Sequence, residues 1–77
     1  MDKEIYLSKE DKQFLQPYIE NLEELIEADD YDELRYSIDD AIVGELDDEY
    51  NATPISRQLQ SIYDRLRDYH ARNFPKD

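Results

Sequence analysis

Cysteine and tryptophan are missing from the chain, and glycine occurs once, at position 44. Without cysteine there is no disulfide framework and no thiolate chemistry, a pattern that suits a cytoplasmic chain. Apolar runs stop at three residues (5–7 and 41–43), so nothing here is long enough to span a bilayer. The start, Met1-Asp2-Lys3-Glu4, has neither the basic nor the apolar stretch of a signal peptide, and secretion is not expected. Asn51-Ala52-Thr53 matches a glycosylation acceptor and is therefore read as a chance match. Basic residues are scarce as well. Nine Lys and Arg face 21 Asp and Glu, a net charge of −12. That balance argues against direct binding of DNA, RNA or an anionic membrane, which all need cations to neutralise phosphate. It points instead toward a basic protein surface as partner.

What is present supports one small domain over residues 1–77, with 1–7 and 75–77 as flexible ends. A chain of this length buries only roughly 60% of its unfolded surface, so a large cofactor fold is out of reach. Leu, Ile, Val and Phe make 18 of the 77 residues. That share lies just above the roughly 20% below which a charged chain stays disordered. Seven tyrosines add apolar area. A thin core is affordable.

Charge is unevenly spread. Residues 1–53 carry a net −14 and residues 54–77 a net +2. An acidic first part thus meets a mildly basic last helix, and their attraction favours packing. Ser8-Lys9-Glu10-Asp11 offers an N-cap with an acid at N3, and Phe14, Tyr18, Leu22 and Leu25 recur at helical spacing beside Leu15, Ile19 and Ile26. Pro17 interrupts this stripe, which predicts a first helix kinked or broken there, with its main body over residues 17–28. A second helix begins at Asp30, with Tyr31, Leu34, Ile38, Ala41, Ile42 and Glu45 on one face. Gly44 either ends that helix or sits inside it. A third follows Thr53 as N-cap and Pro54 at N1, with Ile55, Leu59, Ile62, Leu66 and Tyr69 as its stripe. No segment alternates with period two beyond a short extended piece at 5–7. The fold class is all-α, a three-helix up-down-up bundle.

The acid clusters Asp29/Asp30/Asp32/Glu33 and Asp47/Asp48/Glu49 lack the glycine and the twelfth-position Glu of a calcium loop. No metal and no cofactor is assigned. Paired carboxylates need a cleft that short helices do not offer, so no enzyme and no catalytic residues are expected. His70, the single histidine, lacks a Ser or Cys partner on its face, and Arg67 stands where a Glu-x-x-His motif needs its Glu. It is read as a residue of the core edge or helix end. Arg57, Arg65, Arg67 and Arg72 are spread around the last helix among Asp64 and Asp68, and read as partners of the acidic helices.

The face of the second helix opposite its stripe carries Tyr36 and Val43, seven residues apart, among Asp32, Asp39, Asp40 and Asp47. An aromatic rimmed by acids is a hot spot for a basic partner. These six residues form the candidate binding site. The segment RQLQSIYDRLRDY (residues 57–69), following a short acidic helix, resembles small acidic helical proteins of unknown function from Gram-positive bacteria and their phages. That resemblance covers about the last half of the chain; it implies an accessory role and brings no catalytic residues. The functional expectation is a small cytoplasmic interaction module, a regulator or inhibitor that binds a basic protein surface. Its competitors are a nucleic-acid mimic that blocks a DNA- or RNA-binding enzyme, and a structural homodimer subunit.

Overall fold

A computed structural model describes residues 4–74 of the protein. It is all-helical over those residues: α1 (Lys9–Leu15), α2 (Leu22–Ala28), α3 (Tyr31–Gly44) and α4 (Pro54–Asn73). There are thus four helices where the hydrophobic pattern predicts three. Ser8 caps α1 by accepting the Asp11 N–H at 3.1 Å, as its position suggests. After Leu15 the backbone turns, and the Tyr18 and Ile19 N–H groups both bond the Leu15 carbonyl. Pro17, which has no N–H and cannot continue the ladder, stands inside this turn. Helix does not resume directly after the proline. The expected body over residues 17–28 shrinks to α2, because residues 17–21 form turns rather than helix.

The junction of α2 and α3 is tighter. Asp29 takes the left-handed conformation, φ 54°, ψ 40°. Its N–H bonds the Ile26 carbonyl and the Asp30 N–H bonds the Leu25 carbonyl, the paired bonds of a Schellman ending. Asp30 then caps α3 through the Glu33 N–H at 3.3 Å. At its far end α3 stops at Gly44, where Glu45 closes the last turn. Gly44 has no positive φ, and a Cβ built there meets nothing within 4 Å. The helix end does not depend on glycine's freedom.

In the connector, one Asp47 carboxylate oxygen accepts the N–H groups of Glu49 at 2.9 Å and Asn51 at 2.8 Å. Thr53 and Ser56 then form a reciprocal capping box at the start of α4. The Thr53 hydroxyl also donates to the Glu45 carbonyl at 2.7 Å, tying the two helix ends together. At the opposite end Tyr31, first in α3, lies on His70, late in α4. So α3 and α4 run antiparallel.

The core joins all four helices: Leu15, Ile19, Leu22, Leu25, Leu34, Ile38, Leu59, Ile62 and Leu66 are buried together with Tyr31. Two expectations shift by a step along the helix surface. Leu15 and Ile19 are buried while Phe14 and Tyr18 are only partly covered. On α4, Ser56 is buried and Ile55 is 38% exposed. The serine tolerates burial because its hydroxyl donates to the Thr53 carbonyl and accepts the Thr53 N–H.

Residues 4–7 depart from the expected flexible end. Ile5 and Leu7 point into the core and Tyr6 points out. The expectation for 1–3 and 75–77 lies outside the described residues.

Candidate functional site

The amphipathic pattern of α3 decides which residues can meet another molecule. Leu34 and Ile38 are sealed against the rest of the core, which turns Tyr36 and Val43 to the outside. Tyr36 is 75% exposed and Val43 58%. Asp32, Asp39 and Asp40 are exposed on the same helix. Five of the six residues singled out from sequence therefore stand on α3, accessible and unengaged by the core. Asp47 differs, because α3 ends at Gly44 and helical spacing from Tyr36 does not reach it. Its carboxylate organises the connector instead.

The only cation on α3 is Arg35. Its Nη2 lies 4.0 Å from Asp32, a loose and exposed pair contributing little. The outer face of α3 is thus an acidic surface carrying two bare apolar side chains. A further exposed aromatic, beyond the end of α3, was passed over by the sequence reading. Tyr50, seven residues beyond Val43, is 79% exposed at φ 63° in the connector. Its signal was an aromatic directly after Asp47-Asp48-Glu49, outside any helical stripe.

The acid clusters of the sequence serve local structure. Asp29 accepts the N–H of Glu4 at 2.9 Å and of Ile5 at 3.1 Å, and Asp30 caps α3. Among the described residues no group of acids and histidine is arranged to hold a metal ion.

The arginines of α4 divide. Arg65 reaches Asp11 of α1 at 2.7 Å, and Arg72 pairs with Asp68 in its own helix at 3.1 Å. Arg67 is different. Its guanidinium stands 5.7 Å from the Tyr63 ring centre, without a carboxylate within 4.0 Å among the described residues.

His70 lies where α4 ends, its ring stacked on Tyr31 at 3.8 Å and 11°, and on Phe74 at 5.3 Å. Its Nε2 is 3.1 Å from a Glu4 carboxylate oxygen. Around this stack opens a cleft of about 550 Å³, bordered by Glu4, Arg35, Arg67 and Phe74. Short helices were expected to leave no such cleft; the antiparallel end of α3 and α4, with residue 4 laid across it, makes one.

Burial pushes the Tyr31 phenol above its ordinary value of 10.0, with Arg35 and then Arg67 pulling the other way. A raised folded-state value means that the folded protein holds this proton more firmly than the unfolded chain. The stabilisation is whole below pH 10.0 and is lost as the pH rises past it. Denaturant midpoints should accordingly fall as the pH rises above 10.0 in the wild type, and fall less in Tyr31→Phe. Equal losses in both proteins would assign the alkaline instability to other groups.

Compared with known proteins, the chain matches no family model, no curated protein and no solved structure.

Proposed function

We propose that this protein is a small acidic interaction module that engages a basic protein surface through the outer face of α3. The observation that carries the reading is Tyr36, a large aromatic left 75% exposed on a helix whose other face packs into the core through Leu34 and Ile38. Exposed Val43 extends the apolar patch, and Asp32, Asp39 and Asp40 surround it. Interface anchors are enriched in tyrosine, and acids at the rim steer a basic partner and suppress acidic ones. The mechanism is occupancy: the module covers a basic surface that the partner needs for something else. It involves no catalysis. The proposed setting is the cytoplasm, as an accessory regulator or inhibitor of the kind that the resemblance of residues 57–69 implies; no helix of the described residues is long and apolar enough to cross a membrane.

The test starts with a partner isolated by pull-down and purified. Tyr36→Ala should then weaken its binding by about 2 kcal/mol or more, roughly thirtyfold. Reversing Asp39 and Asp40 to Lys should instead slow association and flatten its dependence on salt. Circular dichroism checks that both variants are folded, which exposure of all three positions predicts. If folded variants bind like the wild type, this face is ordinary solvated surface. Sedimentation of the free protein separates the reading from a homodimer, in which Tyr36 would be covered by a second copy.

A further inference from the structure

Two arginines at one end of the molecule lean on aromatic rings more than on acids, in a chain with 21 acidic residues and nine basic ones. Arg35 from α3 and Arg67 from α4 both border the cleft at the His70 end of the molecule. Neither has a carboxylate closer than 4.0 Å among the described residues, the nearest being Asp32 beside Arg35. Each guanidinium rests instead over an aromatic ring, Arg35 over Tyr31 at 5.9 Å and Arg67 over Tyr63 at 5.7 Å. The Tyr63 hydroxyl, a hydrogen-bond partner, also raises the affinity of Arg35 for its proton. Moreover, the Arg35 Nε is buried and has no hydrogen-bond partner. Buried donors are almost always paired, and an unpaired one asks for an explanation. An arginine held in place by stacking and by Tyr63, with donors still to spare, is preset to receive an oxyanion.

We propose that this cleft binds a small oxyanion, a phosphate or carboxylate group carried on a flat apolar body, between Arg35 and Arg67. The apolar body lies against the Phe74 and Ala71 side of the cleft. The proposal is independent of the α3 outer face, with which it shares only Asp32. Two carboxylates border the cleft besides the arginines. Glu4 opposes an anion, yet its carboxylate is engaged by His70 at 3.1 Å. Asp32 opposes it too, from a side chain 87% exposed to screening water. The remaining negative charge of the protein is attenuated over about 10 Å at 0.1 M salt.

The experiment titrates the folded protein with phenyl phosphate, benzoate and inorganic phosphate. It follows amide shifts at Tyr31 and Ala71 and the side-chain Nε–H signals of Arg35 and Arg67. Saturable shifts with phenyl phosphate or benzoate, weaker with inorganic phosphate, are expected. The tighter of the first two identifies which oxyanion the cleft prefers, and either one sustains the proposal. Arg67→Gln, at an exposed position that folding does not need, should weaken the binding about tenfold or more. Arg35→Lys keeps the charge but loses the fork, and should weaken it as well. Glu4→Gln removes the opposing carboxylate and should tighten it. The absence of saturable shifts with all three probes would overturn the assignment. So would binding that Arg67→Gln leaves unchanged.

Discussion

Replacing Ile62 by Ala is expected to remove most of the stability of the domain. Ile62 is completely buried in α4, packed with Leu59 and Leu66 into the core that α2 and α3 share. Truncating a fully buried isoleucine costs about 2–5 kcal/mol, combining lost transfer energy with the cavity left behind. Chains of this length hold few kilocalories in reserve, because so little of their surface is buried. Each kilocalorie lowers the melting temperature of such a domain by about 4–8 °C, so the shift should be at least roughly 8 °C. Ile55→Ala supplies the comparison. It removes the same chemistry from the same helix at a position 38% exposed, and should cost less than about 1 kcal/mol. A melting curve equally displaced by both would show that burial at Ile62 does not govern the loss, since alanine is the better helix former at either position.

That contrast between Ile55 and Ile62 also marks how far the sequence could be read. Helix starts were legible because capping is local. Ser8, Asp30 and Thr53 each accept an N–H three residues ahead, and such spacing is visible in the letters. The stripes of α3 and α4 were legible for the same reason, and with them the exposure of Tyr36 and Val43. The choice between Ile55 and Ser56 was not. It depends on how α4 is rotated against α3, which the tie from Thr53 to the Glu45 carbonyl settles across eight residues. Pro17 announced an interruption but not its length, since where α2 resumes depends on Leu22 finding the core. The cleft between Arg35 and Arg67 was hidden more deeply. Arginines in an acidic chain are read first as partners of its acids, and Arg65 with Asp11 fits that reading. Only the antiparallel packing of α3 on α4 places Arg35 and Arg67 beside the same cleft.

The attachment of residues 4–7 also spans the sequence, and it predicts the second large effect. Asp29→Ala is expected to release this segment and cost about 3 kcal/mol. The Asp29 carboxylate spends one oxygen on the Glu4 N–H and the other on the Ile5 N–H, bridging 25 and 24 residues. Hydrogen bonds to a charged group contribute about 1.5–3 kcal/mol each, and these two share one side chain and break together. Losing them also loosens Ile5 and Leu7, whose burial stabilises by up to about 1.5–3 kcal/mol apiece. The entropy regained by a freed segment offsets part of that sum, roughly 1–2 kcal/mol per residue. A second contribution is local, because φ at Asp29 is 54° and alanine tolerates this region poorly. Asp29→Gly separates the two effects. Glycine relieves the backbone and still lacks the carboxylate, so it should recover about 1 kcal/mol relative to alanine and leave the segment detached. Hydrogen exchange at the Glu4 and Ile5 amides reports the attachment directly, and both should lose protection in either variant. If Asp29→Gly restored wild-type stability together with protected amides, backbone conformation alone would account for the position, and the carboxylate would hold nothing.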